Sequence, residues 1–189
     1  MKSHWTDHLN VRALLYERRP SLVVECGAGS GDNTANLVTA RGDLGFRLVV
    51  INDDGDPAFG DEMRNNGVDW RSAISYLELQ TFGEGAIDFC LIDTDHNYWT
   101  LRRELDELWP RMKPGGLCVM HDTGTFAKNN GRQPEYNIKG VPYPHSQIEA
   151  ADKAGLGMID AINEDLKSGR WRKVAESDQS HGAIAMERM

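Results

Sequence analysis

The sequence has no apolar run approaching the roughly 20 residues of a membrane span. Its opening, MKSHWTDHLN, lacks the succession of charge, apolar stretch and small residues that marks a signal peptide. A cytoplasmic protein with no membrane partner is therefore expected. Basic residues are too few to balance the acids: 21 against 29 give a formal charge of −8. Such a chain repels phosphate backbones, so no nucleic-acid partner is expected. Cysteine is scarce, with three residues. Cys26, Cys90 and Cys118 each lie in or at the end of an apolar run. They read as buried thiols in a reducing compartment rather than as disulfides, with a catalytic cysteine as the alternative. The G-x-S-x-G elbow of a covalent serine hydrolase is missing. So are repeats, linkers and low-complexity tracts. The 189 residues make up one domain, 1–189, long enough for a sizeable core.

What is present centres on Leu22 to Gly31, LVVECGAGSG. Leu22-Val23-Val24 is a short buried strand. It ends in an acid, Glu25, followed by alternating glycines at Gly27, Gly29 and Gly31. Asp32-Asn33-Thr34 then opens a helix. A strand that breaks into a glycine turn and then a helix aims the first helical N–H groups at whatever lies above the turn. Glycine suits positions of positive φ and positions that a ligand must approach closely. The Glu25 carboxylate adds an acceptor for hydroxyls or an amino group. The spacing is acid-x-G-x-G-x-G, not the G-x-G-x-x-G of a dinucleotide site. It resembles the first motif of class I methyltransferases that use S-adenosylmethionine.

The remaining pattern alternates strands and helices. Trp5 to Glu17 reads as an amphipathic helix stopped by Pro20, within an N-terminal segment of residues 1–20. Helices follow at Asn33 to Ala40, Pro57 to Asn66, from Trp70-Arg71-Ser72-Ala73 through Leu79, and Asn97 to Trp109, the last ended by Pro110. Strands are expected at Arg47 to Ile51, Val68 to Trp70, Ile87 to Asp93 and Leu117 to Met120, with a turn at Pro114-Gly115-Gly116 before the last. Gly124 to Gln147 has no pattern and reads as a substrate or lid loop. Ile148 to Leu166 returns to helical spacing. Trp171 to Ala175 and Gly182 to Met186 form a terminal strand pair. The fold class is α/β: a Rossmann-like, doubly wound, mostly parallel sheet with helices on both faces and a C-terminal antiparallel pair.

The unusual polar residues all follow putative strand ends: Glu25, Asp53, Asp93-Thr94-Asp95-His96 and His121-Asp122. In an open α/β sheet those ends share the edge where ligands bind. Asp53, with Asp54 beside it, suits a ribose diol, whose two hydroxyls both donate; a plain polar turn is the alternative. In the class I methyltransferases that the glycine motif resembles, the junction at Ser72 lies beside the adenine ring. Crowded acids on one rim favour a cation or a sulfonium.

IDFCLIDTDHNYWTLRRELDELWPRMKPGGLCVMHDT, from Ile87 to Thr123, resembles the I-D-x-D-H, K-P-G-G, H-D-T region of metal-dependent small-molecule O-methyltransferases. These include sugar and macrolide tailoring enzymes and the cephalosporin-hydroxylase-type group. The resemblance runs from about Leu22 to Thr123. It implies S-adenosylmethionine bound by Glu25, Gly27, Gly29, Gly31, Asp53, Asp54, Ser72 and Asp93. It also implies a divalent ion (Mg, Mn or Fe) held by Asp93, His121 and Asp122, and a general base at Asp95 or His96. His121 departs from the family, which carries Asp or Glu there. Imidazole is poor for Mg²⁺ but good for Mn²⁺, Fe²⁺ or Zn²⁺. Asp95 could instead cap the following helix, and His96 could merely pack. DNA-amine methyltransferases carry an Asn/Asp-Pro-Pro-aromatic tetrapeptide after the fourth strand, where this chain has Asp93-Thr94-Asp95-His96. The implied acceptor is thus a small hydroxylated molecule. Little chain precedes the glycine motif, so the acceptor site is open or completed by later loops or by a second copy in a homo-oligomer. A hydroxylase-like enzyme of the same fold and a non-catalytic nucleotide-binding protein are the alternatives.

Overall fold

The computed structural model describes residues 9–53, 57–124, 144–179 and 181–189. Seven strands form one sheet: β1 (Leu22–Cys26), β2 (Arg47–Ile51), β3 (Asp69–Arg71), β4 (Ile87–Ile92), β5 (Met112–His121), β6 (Trp171–Ser177) and β7 (Ala183–Arg188). Their order is β3-β2-β1-β4-β5-β7-β6. The first five are parallel, while β7 runs antiparallel to both β5 and β6. The expected fold class is therefore the one observed.

The inner strands are buried on both faces, which is why they read as unbroken apolar runs. Alternate side chains feed two cores. Val23, Phe89, Leu91, Leu117 and Val119 pack under α1 (Val11–Arg18), α2 (Asp32–Leu44) and α3 (Pro57–Asn65). Val24, Cys26, Cys90, Ile92, Cys118 and Met120 pack under α5 (Tyr98–Arg111) and α7 (Met158–Ser168). Two short elements complete the chain, α4 (Ser75–Glu78), which runs into a 3₁₀ turn at Leu79–Thr81, and α6 (His145–Lys153). The three cysteines are buried and unpaired, as expected. Trp70 is a core residue, its ring edge-on to Phe59 at 5.4 Å. No helix among the described residues is long and apolar enough to cross a membrane.

Several boundaries differ from the sequence pattern. Of the helix expected over Trp5 to Glu17, residues before Leu9 lie outside the described residues; α1 begins at Val11, where Asn10 adopts a left-handed conformation and its side chain accepts the Ala13 N–H. The segment after β3 turns helical only at Ser75. Pro110 does not stop α5. It falls in the last turn, where a missing N–H forfeits a single bond, and Arg111 beyond it pairs with Glu107 at 3.3 Å. The Pro114-Gly115-Gly116 turn lies inside a ten-residue β5 as an irregularity, since Ile87 pairs with Met112 and Phe89 with Leu117. Ile148 to Leu166 is two helices, broken where Gly155 takes φ +70°. Most of the expected loop from Gly124 to Gln147 lies outside the described residues, although α6 already begins at His145.

Candidate active site

The carboxyl ends of β1, β2, β4 and β5 share one edge: Cys26 is level with Ile51 and Ile92, and Ile92 with Met120. The chain leaves β1 towards β2 on one side, and β4 lies on the other. At such a switch point neighbouring loops diverge and leave a crevice. The glycine turn occupies it. Gly27, Gly29 and Gly31 have φ of +83°, +48° and +84°. Gly27 donates its N–H to the Ile51 carbonyl at 2.8 Å, and Ala28 donates to Asn52 Oδ1 at 2.9 Å. From the other side, the Asp93 N–H donates to the Cys26 carbonyl at 2.8 Å. A Cβ on Gly27 would overlap the Asp93 carbonyl, and one on Gly31 would enter the Phe59 ring. On Gly29 it would meet no atom of the described residues within 4 Å. The outer glycines thus let the chain close on itself, and the middle one borders open space.

Glu25 is fully buried beneath this turn. Its Oε2 accepts a hydrogen bond from Thr34 Oγ1 at 2.8 Å, while among the described residues Oε1 has no hydrogen-bond partner. Burial drives its carboxyl up to about 8 against the Thr34 bond, and the nearby Asp93 charge adds to the rise. At neutral pH the group is mostly protonated. Asp53 stands half-buried just beyond β2. Asp54 lies outside the described residues. Ser72 is exposed in the connection after β3, with Ser75 buried three residues on.

Beside the turn, four side chains converge. His121 Nδ1 lies 3.1 Å from Asp93 Oδ1 and 3.3 Å from Asp122 Oδ1. His96 Nε2 lies 3.3 Å from Asp93 Oδ1 and 2.8 Å from Asp122 Oδ2. One donor atom from each of Asp93, His96, His121 and Asp122 falls within a 4.8 Å cluster. Burial works against the Asp93 charge, but His121 and then His96 bring the carboxyl down to about 2. Burial likewise disfavours a charged His96, yet Asp122 and Asp93 lift it to about 9. Asn33 steadies the outer oxygen of Asp93 from α2, donating from Nδ2 at 3.1 Å. Asp122 takes φ +59°, a left-handed conformation that Asp tolerates better than most residues. His181, ahead of β7, sets its ring edge-on to His121 at 6.4 Å, and its carbonyl accepts the Gly124 N–H at 2.9 Å.

Two expectations change here. Asn97 rather than Asp95 caps α5, its side chain accepting the Thr100 N–H at 2.9 Å. Asp95 accepts from the Thr100 hydroxyl at 3.3 Å instead. His96 does not stand apart as a packing residue: it turns back between two carboxylates. Sequence reasoning missed Asn33, Thr34 and Asn52. A signal existed for Asn52, which is the first polar residue after the apolar run of β2.

A model of the methyltransferase domain family matches residues 24–123, from the third residue of β1 to the residue after Asp122. The chain belongs to this family. The methyltransferase has no match among curated proteins. Solved structures do share its fold. A candidate caffeoyl-CoA O-methyltransferase from Staphylococcus aureus is 10% identical, with a TM-score of 0.69 over 100% of this chain and 86% of that one. A methyltransferase from Podospora anserina, with S-adenosylhomocysteine bound, is 14% identical at a TM-score of 0.68, covering 99% and 80%. An O-methyltransferase from Bacillus cereus, also with S-adenosylhomocysteine, is 13% identical at 0.64, covering 100% and 83%. The methyltransferase therefore has the class I architecture, and its family match spans every described residue of the glycine turn and the four-residue cluster.

Proposed function

We propose that this methyltransferase moves the methyl group of S-adenosylmethionine to a hydroxyl of a small molecule, beside a divalent ion held by Asp93, His96, His121 and Asp122. The observation that carries the reading is the contact between the two halves of the edge: Asp93 N–H on the Cys26 carbonyl, with the Asp93 carbonyl lying where a side chain on Gly27 would be. Cofactor turn and polar cluster are thereby neighbours through backbone alone.

The residues suit both groups. Open space over Gly29 and a half-buried Asp53 one strand away are what a nucleoside with a ribose diol requires. Asp122 Oδ1 is buried and, among the described residues, makes no well-formed hydrogen bond, its nearest nitrogen being His121 Nδ1 at 3.3 Å; a cation would satisfy it. One donor atom from each of the four residues lies within 4.8 Å of the others, close enough to gather around a single ion. Two imidazoles beside two carboxylates favour Mn²⁺, Fe²⁺ or Zn²⁺ over Mg²⁺. When bound, such an ion lowers the pKa of the acceptor hydroxyl and orients it.

The chain's own work is alignment and the removal of one proton. Asn33 fixes the rotamer of Asp93. His96, engaged by two carboxylates, serves as a donor to the ion, and the base role passes to Asp95 on the same loop. Its carboxylate takes the hydroxyl proton as the methyl arrives. A hydroxylase-like enzyme of the same fold is the second reading, favoured by the two-imidazole donor set, which suits redox-active iron.

Calorimetric titration with S-adenosylhomocysteine, followed by labelled-methyl transfer to a panel of phenols, catechols and sugars with each metal, tests the assignment. Binding and metal-stimulated transfer are expected. Absence of S-adenosylhomocysteine binding would overturn it. Binding without transfer, with oxygen uptake in the presence of Fe²⁺, would select the hydroxylase.

A further inference from the structure

Glu104 lies on α5, fully buried, and plays no part in the chemistry above. It accepts hydrogen bonds from two hydroxyls on two different loops. Ser75 Oγ, at the start of α4, bonds to Oε1. Thr94 Oγ1, between Asp93 and Asp95, lies 2.8 Å from Oε1 and 3.0 Å from Oε2. Among the described residues no Lys, Arg or His forms an ion pair with it. A buried carboxyl held only by hydroxyls is a costly way to fill space, since an apolar side chain of similar size would pack there without desolvating an acid. The feature it supplies, which a leucine could not, is a bridge between the loop after β3 and the loop after β4. Both segments follow carboxyl ends of strands in the open sheet, the edge on which ligands bind, and the one after β4 also touches the glycine turn through Asp93.

We propose that Glu104 is a positioning residue for the nucleoside of S-adenosylmethionine. From below, it fixes the separation of the Ser75 and Thr94 loops, and through Thr94 the aim of Asp93 and Asp95. The inference rests on the cofactor assignment above. The main charged or titratable groups that act on Glu104, or on which it acts, among the described residues are Asp95, Asp53 and the thiols of Cys26 and Cys90. None is a cation. Burial pushes the Glu104 carboxyl up to about 8, with Asp95 and Asp53 adding to the rise against the Ser75 and Thr94 bonds. The bridge therefore works in its neutral form. Ionisation would put a third negative charge beside Asp53 and Asp95.

The test measures S-adenosylhomocysteine affinity by calorimetry, with folding followed by thermal melting, for wild type, Glu104→Gln and Glu104→Ala. Removing the bridge is expected to weaken binding by about tenfold in Glu104→Ala. Glu104→Gln, which keeps the shape and hydrogen-bonding capacity, should bind within about threefold of wild type at pH 7. Wild-type affinity is expected to fall as pH rises through about 8, and Glu104→Gln is expected to remove that fall. If Glu104→Ala does not fold, Ser75→Ala and Thr94→Val each remove one arm of the bridge and should weaken binding in the same direction. Wild type that binds while these variants bind equally well, with altered melting alone, overturns the positioning role. Wild type that does not bind at all overturns the cofactor assignment, and this inference with it.

Discussion

Asn52 holds Ala28: its side-chain oxygen accepts the Ala28 N–H at 2.9 Å, and both residues are buried. The end of β2 thus supports the middle of the glycine turn. Asn52→Ala would leave a buried N–H without an acceptor, at about 1–3 kcal/mol. Asn52→Asp keeps the acceptor and should retain the turn. Melting curves and S-adenosylhomocysteine titrations of the two variants are expected to separate, with the alanine variant both less stable and weaker in binding. Equal behaviour would mean that the turn is held by the Gly27 bond alone.

The three glycines should not respond alike. Gly27→Ala places a methyl group on the Asp93 carbonyl at a left-handed φ, and a backbone clash has no cheap relief. A loss of about 3 kcal/mol or more, or failure to fold, is expected. Gly29→Ala meets no atom of the described residues within 4 Å and bears only the left-handed penalty, about 1–2 kcal/mol. That variant should fold but bind cofactor more weakly, because its methyl group occupies the space above the turn. Comparing expression, melting temperature and S-adenosylhomocysteine affinity decides the matter.

Stability should fall with rising pH through Glu25. Its folded pKa, about 8, lies above the ordinary 4.5. The folded form then binds the proton more tightly, so this contribution is fully present below about pH 4.5 and lost as pH rises through about 8. Glu25→Gln can still accept from Thr34 but does not titrate. Its melting temperature relative to wild type should climb between pH 5 and pH 9, by about 2–4 °C for each kcal/mol relieved. A constant difference across that range would show that Glu25 ionises normally.

The metal preference should turn on His121. His121→Glu restores the residue type that the resembling family carries, and substitutes a hard oxygen donor for nitrogen. Mg²⁺ affinity should rise relative to Mn²⁺ and Zn²⁺, read by competitive titration without any turnover. Asp122→Ala should weaken every ion. An unchanged selectivity series in His121→Glu would remove His121 from the ligand set.

Much of this was legible along the chain. The inner strands are buried on both faces, so each is a continuous apolar run, and the expected Arg47–Ile51 strand coincides with β2. Pro110 and Gly155 were harder. A proline stops a helix only where its lost bond and ring clash outweigh packing, and a glycine breaks one only where the chain must bend. Neither balance is visible in a linear pattern. Within the site, the strand ends in the sequence bring Asp93, His96, His121 and Asp122 to one edge, but do not give the contacts His96 makes there. Its place depends on the rotamer it takes across to Asp122, 26 positions away in sequence.

The order of the residues by itself determined the alternation of strand and helix, and with it the edge on which the polar residues gather. A parallel strand must end where its apolar run ends, and every right-handed crossover returns those ends to the same side. Tertiary structure alone decided which partner each polar group has: Asn52 for Ala28, Thr34 for Glu25, Ser75 and Thr94 for Glu104, two aspartates for His96. Those pairings depend on distances of about 3 Å between segments remote in sequence, and at that range burial and hydrogen bonding determine whether a carboxyl is a charge, a ligand or a neutral brace.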